Sequence, residues 1–370
     1  EGLSTLGIRN EPRPDGIVIE GGALGGGAGR RHPPDPMGDR MSVETVTVAG
    51  GEADMRLDRW FKQHYPGLTH GRLSKLLRKG QIRVDGKRCQ IGTRLQPGQV
   101  VRVPPMGDID TPPPKADPKP VDKDTAAHLK GLVIHRDDSV LVLNKPAGLA
   151  VQGGTKTTTH LDAMLDALRF DAEERPRLVH RLDKDTSGVL VLARTRQAAE
   201  RLAKAFKGRD ARKVYWAIVV RVPRPAEGRI NAPLLKAGGG PGGERVSVDR
   251  DEGKKALTDY RVLDQAGKKA AWLKLEPLTG RTHQLRAHCA AINHPILGDG
   301  KYGGGEAFID GDDMPRQLHL HARALRIPHP DGGTLEAVAP LPEHMERTFD
   351  SLGFDRKQEK DPFAEPGEVG

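Results

Sequence analysis

The stretch His180-Arg181-Leu182-Asp183-Lys184-Asp185-Thr186-Ser187-Gly188, followed at once by Val189-Leu190-Val191-Leu192-Ala193, decides how this chain is read. A polar loop closed by glycine presents two acids, and an apolar run of strand character begins directly behind it. Loops held by rigid elements are where reactive side chains are kept in place. A lone Asp in such a loop would pass as a solvated turn residue. Here Asp183 is flanked by Arg181 and Lys184, cations that favour its charged form and fix its direction. Asp183 is therefore a candidate nucleophile or base.

Working outward, Val140-Leu141-Val142-Leu143 is a second buried-strand pattern, broken by Asn144-Lys145-Pro146. Tyr215 to Val220 is a third, rich in β-formers. Helical patterns fall at 160–169 and 195–207. Strands and helices mingled without regular βαβ repetition predict an α+β fold with a mixed, largely antiparallel sheet over residues 121–353. The chain of 370 residues has room for a second domain. Residues 1–40 are rich in Gly and Pro and predict a disordered tail. Residues 104–120 read as a semi-rigid proline-rich linker. From 354 to 370 a charged segment with Pro and Gly offers little to pack and is expected to be a flexible tail.

The formal net charge of +9 points to a polyanionic partner. The excess is local. Between Met55 and Val103 twelve Lys and Arg face only Asp58 and Asp85, an imbalance as large as that of the whole chain. Thr69 can cap a helix through Leu77, and Gly80 can close it in the left-handed conformation. Leu73, Leu76 and Leu77 form its apolar stripe, while Arg72, Lys75 and Lys79 recur on another face. Asp85-Gly86 between Ile82-Arg83-Val84 and Lys87-Arg88-Cys89 is a type I′ hairpin signal. Arg72, Lys75, Arg78, Lys79, Arg83 and Arg88 are thus candidates for phosphate contact; a solvated surface would mix its signs. The cysteines, Cys89 and Cys289, lack metal or disulfide-scaffold spacing and fit a reducing cytoplasm. No run of eighteen apolar residues predicts a membrane span. No unassigned apolar stripe asks for a second copy, so a monomer is expected.

Four ordered motifs carry a resemblance. The HRLD…TSG segment, Asn144-Lys145-Pro146-Ala147-Gly148, Lys213-Val214-Tyr215-Trp216-Ala217 and Thr279-Gly280-Arg281-Thr282-His283-Gln284-Leu285-Arg286-Ala287-His288 resemble the signature of RluA-type pseudouridine synthases, over about 132–341. The basic segment at 41–103 resembles an S4 RNA-binding domain. The Gly153-Gly154 pair is most like the RluC branch, which modifies large-subunit ribosomal RNA, although Gln152 stands where many relatives carry His. The resemblance implies uridine isomerisation in RNA, with 23S ribosomal RNA the expected partner and no cofactor. It implies Asp183 as the catalytic carboxylate, Arg181 inserting into the RNA and Tyr215 stacking in the pocket.

The chemistry adds its own demands. A carboxylate in a partly dry pocket needs a cation. Arg281 is the first candidate, because guanidinium keeps its charge and grips carboxylate bidentately; Arg286 on the same segment is the alternative, and both could instead meet phosphate. His319 and His321 alternate as a metal pair would, but no third ligand stands at spacing, so no metal is expected. His283 and His288 read as polar supports of their loop. Two other classes of function compete: a non-catalytic RNA-binding assembly factor, and a glycoside hydrolase needing Asp185 as a second acid. A synthase acting on transfer RNA is a further alternative.

Overall fold

Every residue of the apolar run behind Asp183 is buried, because its strand lies inside a sheet covered on both faces. The computed structural model describes residues 43–105, 121–153, 159–208, 210–240, 243–310, 314–359 and 361–364. The expected N-terminal tail at 1–40, nearly all of the 104–120 linker and the last six residues lie outside them. The chain divides between Ala116 and Asp117 into two compact units. Among the described residues no helix is long and apolar enough to cross a membrane.

In the first unit, β1 (Glu44–Thr47), β2 (Arg83–Val84), β3 (Lys87–Arg88) and β4 (Val100–Val103) form an antiparallel sheet in the order β1-β4-β2-β3. Two helices accompany it, α1 (Leu57–His64) and α2 (His70–Arg78). Thr69 caps α2, its hydroxyl accepting the Arg72 N–H at 3.3 Å, and Gly80 follows at φ 66°. Leu73 and Leu77 are buried with Leu57, Trp60, Phe61 and Ile82. Asp85 and Gly86 both have positive φ, 48° and 73°, the type I′ geometry that joins β2 to β3. Arg72, Lys75, Arg78, Lys79, Arg83 and Arg88 are all exposed.

A buried acid anchors α1. Glu52 accepts the Trp60 indole N–H at 2.9 Å and the Ala49 amide at 3.0 Å, and its other oxygen meets His64 at 2.5 Å. These contacts, the His64 bond first, hold its carboxyl below the usual range despite burial. A lowered folded pKa stabilises above the unfolded value, near 4.5, and that contribution is lost as pH falls through the folded value. Glu52→Gln should therefore cost about 1–3 kcal/mol at neutral pH and blunt the acid response. Amide hydrogen exchange of α1 in the full chain, measured from pH 7 down to 3, checks both; equal acid sensitivity in the variant would refute the assignment.

The second unit begins with α3 (Lys123–Gly131), β5 (Val133–Arg136) and β6 (Val140–Lys145). Next come α4 (Leu161–Met164), β7 (Arg177–Leu178), β8 (Ser187–Ala193), α5 (Arg196–Lys207) and β9 (Arg212–Val220). The chain continues through β10 (Glu227–Asn231), the hairpin β11 (Leu234–Gly240) and β12 (Gly243–Val248), β13 (Leu257–Ala266) and β14 (Ala270–Pro277). It ends in α6 (Gln284–Ala291), β15 (Leu320–Pro328), β16 (Thr334–Val338) and α7 (Glu343–Leu352). The main sheet runs β10-β13-β14-β9-β15-β8-β6-β5, with β16 on β15 and β7 on β8. It is mixed and largely antiparallel. Among the described residues, only β15 against β8 is parallel, at His321↔Ser187 and Ala322↔Gly188.

This two-residue seam joins two antiparallel halves. Period-two alternation assigns the faces. Val140, Val142, Val189 and Val191 pack with α5, and Trp216 packs with α7. Leu141, Leu143, Leu190 and Leu192 face the side of α4, and Tyr215 and Ala217 that of α6. Gly188, Ala322 and Tyr215 sit in one row across β8, β15 and β9. The segment beyond Gly353, expected as a tail with little to pack, is instead anchored for 354–359 and 361–364. Phe354 and Phe363 enter the core, and Glu359 takes the Trp216 indole N–H at 2.7 Å and faces Lys274 at 2.9 Å.

Candidate active site

Asp183 stands on the loop that feeds β8 at the seam, its side chain 18% exposed. Leu182 beside it is buried and pins the loop to the core. His180 pins it a second time, its Nε2 accepting the Val191 amide at 2.8 Å and its ring stacking on Phe206 at 4.2 Å. Burial, then the nearby Lys213 charge, push its pKa down to about 3. The neutral ring is structural, since a proton on Nε2 would break the bond to β8.

Beneath the loop lies Lys145, fully buried. Its ammonium donates to the carbonyls of Pro146, Leu149 and Lys184 at 2.7, 2.9 and 3.0 Å. Three bonds use three N–H groups and tie the loop after β6 to the loop before β8. Burial lowers the Lys145 pKa to about 8, against the pull of Asp185 and Asp183. The sequence marks this lysine as part of a motif, but not as the strut under Asp183.

Asp183, Tyr215, His283 and Arg286 line a cavity of about 320 Å³ that also touches Arg181, Lys213 and Arg281. A wider hollow of about 920 Å³ shares the Arg181, Asp183, His283 and Arg286 walls. Tyr215 reaches the cavity from β9; burial, and secondarily the Asp183 charge, raise its pKa, so the phenol is neutral. Arg181 is exposed. His283 opens α6 in the left-handed region, φ 50°, with Nε2 3.9 Å from an Asp183 oxygen.

The ion pair expected of Arg281 is not made. Its Nε donates to the Lys255 carbonyl at 3.1 Å and its backbone N–H to Gln284 Oε1, so the side chain leaves the carboxylate. Arg286, the alternative, is buried one turn into α6 and grips Asp299 through two bonds of 2.8 and 2.7 Å. Despite burial, the Asp299 bonds, with the Asp183 charge adding to them, raise its pKa. Asp299 had no sequence signal, because its partner lies thirteen residues away across an irregular connection. His288, His319 and His321 have no open ring nitrogen to offer a metal. His288 meets Thr258 and Ala232; His319 meets Thr348 and the carbonyls of Gln317 and Leu297; His321 meets Ser187 and Ala339.

Residues 139–291 match the RNA pseudouridylate synthase family. The chain is 34% identical to ribosomal large subunit pseudouridine synthase C of Vibrio vulnificus, over 86% of this chain and 99% of that one. The Escherichia coli protein of the same name is 34% identical over 84% and 97%. The chain belongs to the RNA pseudouridine synthases. Its similarity extends to the mitochondrial RNA pseudouridine synthase 4 of Arabidopsis thaliana, 34% identical over 92% of this chain and 86% of that one. A solved structure, human RNA pseudouridylate synthase domain containing 4, superposes with a TM-score of 0.53 at 30% identity, over 62% of this chain and 96% of the human one. The synthase thus carries the RluA-type motifs on the expected mixed sheet, and three of them, through Asp183, Tyr215 and the His283–Arg286 turn, converge on one cavity.

Proposed function

We propose that this synthase converts uridines to pseudouridine in large-subunit ribosomal RNA, with Asp183 as the catalytic carboxylate. The reaction moves the glycosidic bond from N1 to C5 of uracil and releases the C5 proton. No atom is gained and no electron exchanged, so the site needs an acid, a stacking surface and a way to hold an extruded base. One observation carries the reading: Asp183 and Tyr215 face a single cavity of about 320 Å³, within the range of small-ligand sites, and exposed Arg181 borders it. A flipped uracil stacks on Tyr215, Arg181 fills the gap left in the helix, and Arg286 supplies the cation near Asp183.

The first unit acts as an S4-type module. Arg72, Lys75, Arg78, Lys79, Arg83 and Arg88 meet phosphates and set affinity and orientation rather than uridine choice. The ribosomal substrate is supported by relatives named for the ribosomal large subunit and aligned over nearly their whole length.

Carbodiimide-block primer extension across large-subunit ribosomal RNA from a deletion strain tests this directly. Stops should vanish on deletion and return with the wild-type gene. Asp183→Asn should restore none of them. An unchanged pattern would exclude this RNA and direct the search to transfer RNA. Stops restored by Asp183→Asn would remove its catalytic role and favour an assembly factor.

A further inference from the structure

Asp183 is linked to the β11–β12 hairpin through His283 and Tyr302. The Val246 amide donates to the Tyr302 hydroxyl oxygen at 3.1 Å, and that hydroxyl lies 2.8 Å from His283 Nδ1. An amide N–H can only donate, so the phenol oxygen accepts on that side and its own hydrogen stays available to Nδ1. With the phenol hydrogen given to Nδ1, a neutral His283 carries its own hydrogen on Nε2. That nitrogen is the one 3.9 Å from the Asp183 carboxylate. The spacing exceeds a hydrogen bond, but contacts of this kind tighten when substrate is seated.

Burial holds the His283 pKa below the usual range, against the attraction of Asp183, and burial raises that of Tyr302; both are neutral at pH 7. Tyr302 itself is held between two guanidinium groups, Arg245 at 5.5 Å and Arg286 at 5.2 Å from its ring centre. Its amide lies 3.3 Å from Asp299 Oδ1. The phenol is fixed at both ends, which is what a group that sets a tautomer requires.

We propose that His283 is a positioning residue: Tyr302 locks it in the Nε2–H form, and that N–H orients the Asp183 carboxylate toward the substrate. The inference rests on Asp183 being catalytic. It separates cleanly from a structural role, because the backbone and the chemistry prefer opposite replacements. At φ 50° asparagine is the more comfortable substitute. The glutamine amide, however, places its N–H where Nε2 was, whereas that of asparagine reaches only the Nδ1 position.

The test compares wild type with Asp183→Asn, His283→Gln, His283→Asn and Tyr302→Phe. All act on large-subunit ribosomal RNA transcribed with uridine tritiated at C5, with RNA affinity and melting temperature measured alongside. His283→Asn and Tyr302→Phe should lose roughly 10- to 100-fold in single-turnover tritium release, with RNA affinity unchanged. His283→Gln should exceed His283→Asn in rate even if it melts lower. Asparagine equal to or faster than glutamine, or Tyr302→Phe at the wild-type rate, would overturn the proposal. Tritium release by Asp183→Asn would instead sink the catalytic reading, and this inference with it.

Discussion

Replacing Gly188 with alanine is expected to abolish recovery of folded enzyme, a loss of at least about 4 kcal/mol. A Cβ there would stand 2.2 Å from the Ala322 carbonyl oxygen and 2.8 Å from its nitrogen. Both are backbone atoms of a central strand, so neither can rotate away. The position also has φ 106°, which costs a non-glycine residue about 1–3 kcal/mol by itself. Gly267 separates the two effects, because its φ is 56° and nothing lies within 4 Å of an added Cβ. Gly267→Ala should pay only the backbone cost, about 1–2 kcal/mol. Soluble yield and thermal melting of the two variants decide the matter. Equal losses would mean that the seam between β8 and β15 has slack.

The second large effect concerns Asp299, whose side chain is 1% exposed and that of Arg286 7%. Asp299→Asn leaves the guanidinium buried without its counter-charge and should cost about 3–5 kcal/mol. Activity should fall with it, since Arg286 is then free to leave the cavity wall. The double change Arg286→Met with Asp299→Leu separates the losses. Apolar replacement of a whole buried pair is often neutral, so urea midpoints should return toward wild type. Uridine isomerisation should not return. A double variant with full activity would show that Arg286 serves only the fold.

The HRLD loop, its strand, the capped α2 and the type I′ turn were legible because each is a local matter of spacing and dihedral preference. Tyr215 was singled out by its motif, and its side chain lines the same cavity as Asp183. The choice between Arg281 and Arg286 was not legible. Both lie on one segment, and what separates them is the left-handed residue His283, which turns α6 so that Arg286 faces inward. Propensity gives no warning of positive φ at a histidine. The segment after Gly353 was misread for a related reason. Its charges and turn residues suggest solvent, but Glu359 meets Lys274 and the indole of Trp216, partners more than eighty residues earlier. Pairings of that range leave no periodic trace.

The parallel contact at Ser187-Gly188 also governs how the molecule is made. On the ribosome, the strands through β8 and those from β9 to β14 can each zip up as antiparallel neighbours while synthesis continues. Ser187 and His321, whose side chains bond across the seam, are separated by 134 positions. At about 5–20 residues per second, the clasp strand β15 follows β8 by roughly 7 to 27 seconds. During that wait the start of β8 and one edge of β9 are raw strand borders, open to any extended chain nearby. The nascent enzyme is thus both inert and adhesive until β15 arrives, and chaperone demand should peak in that interval.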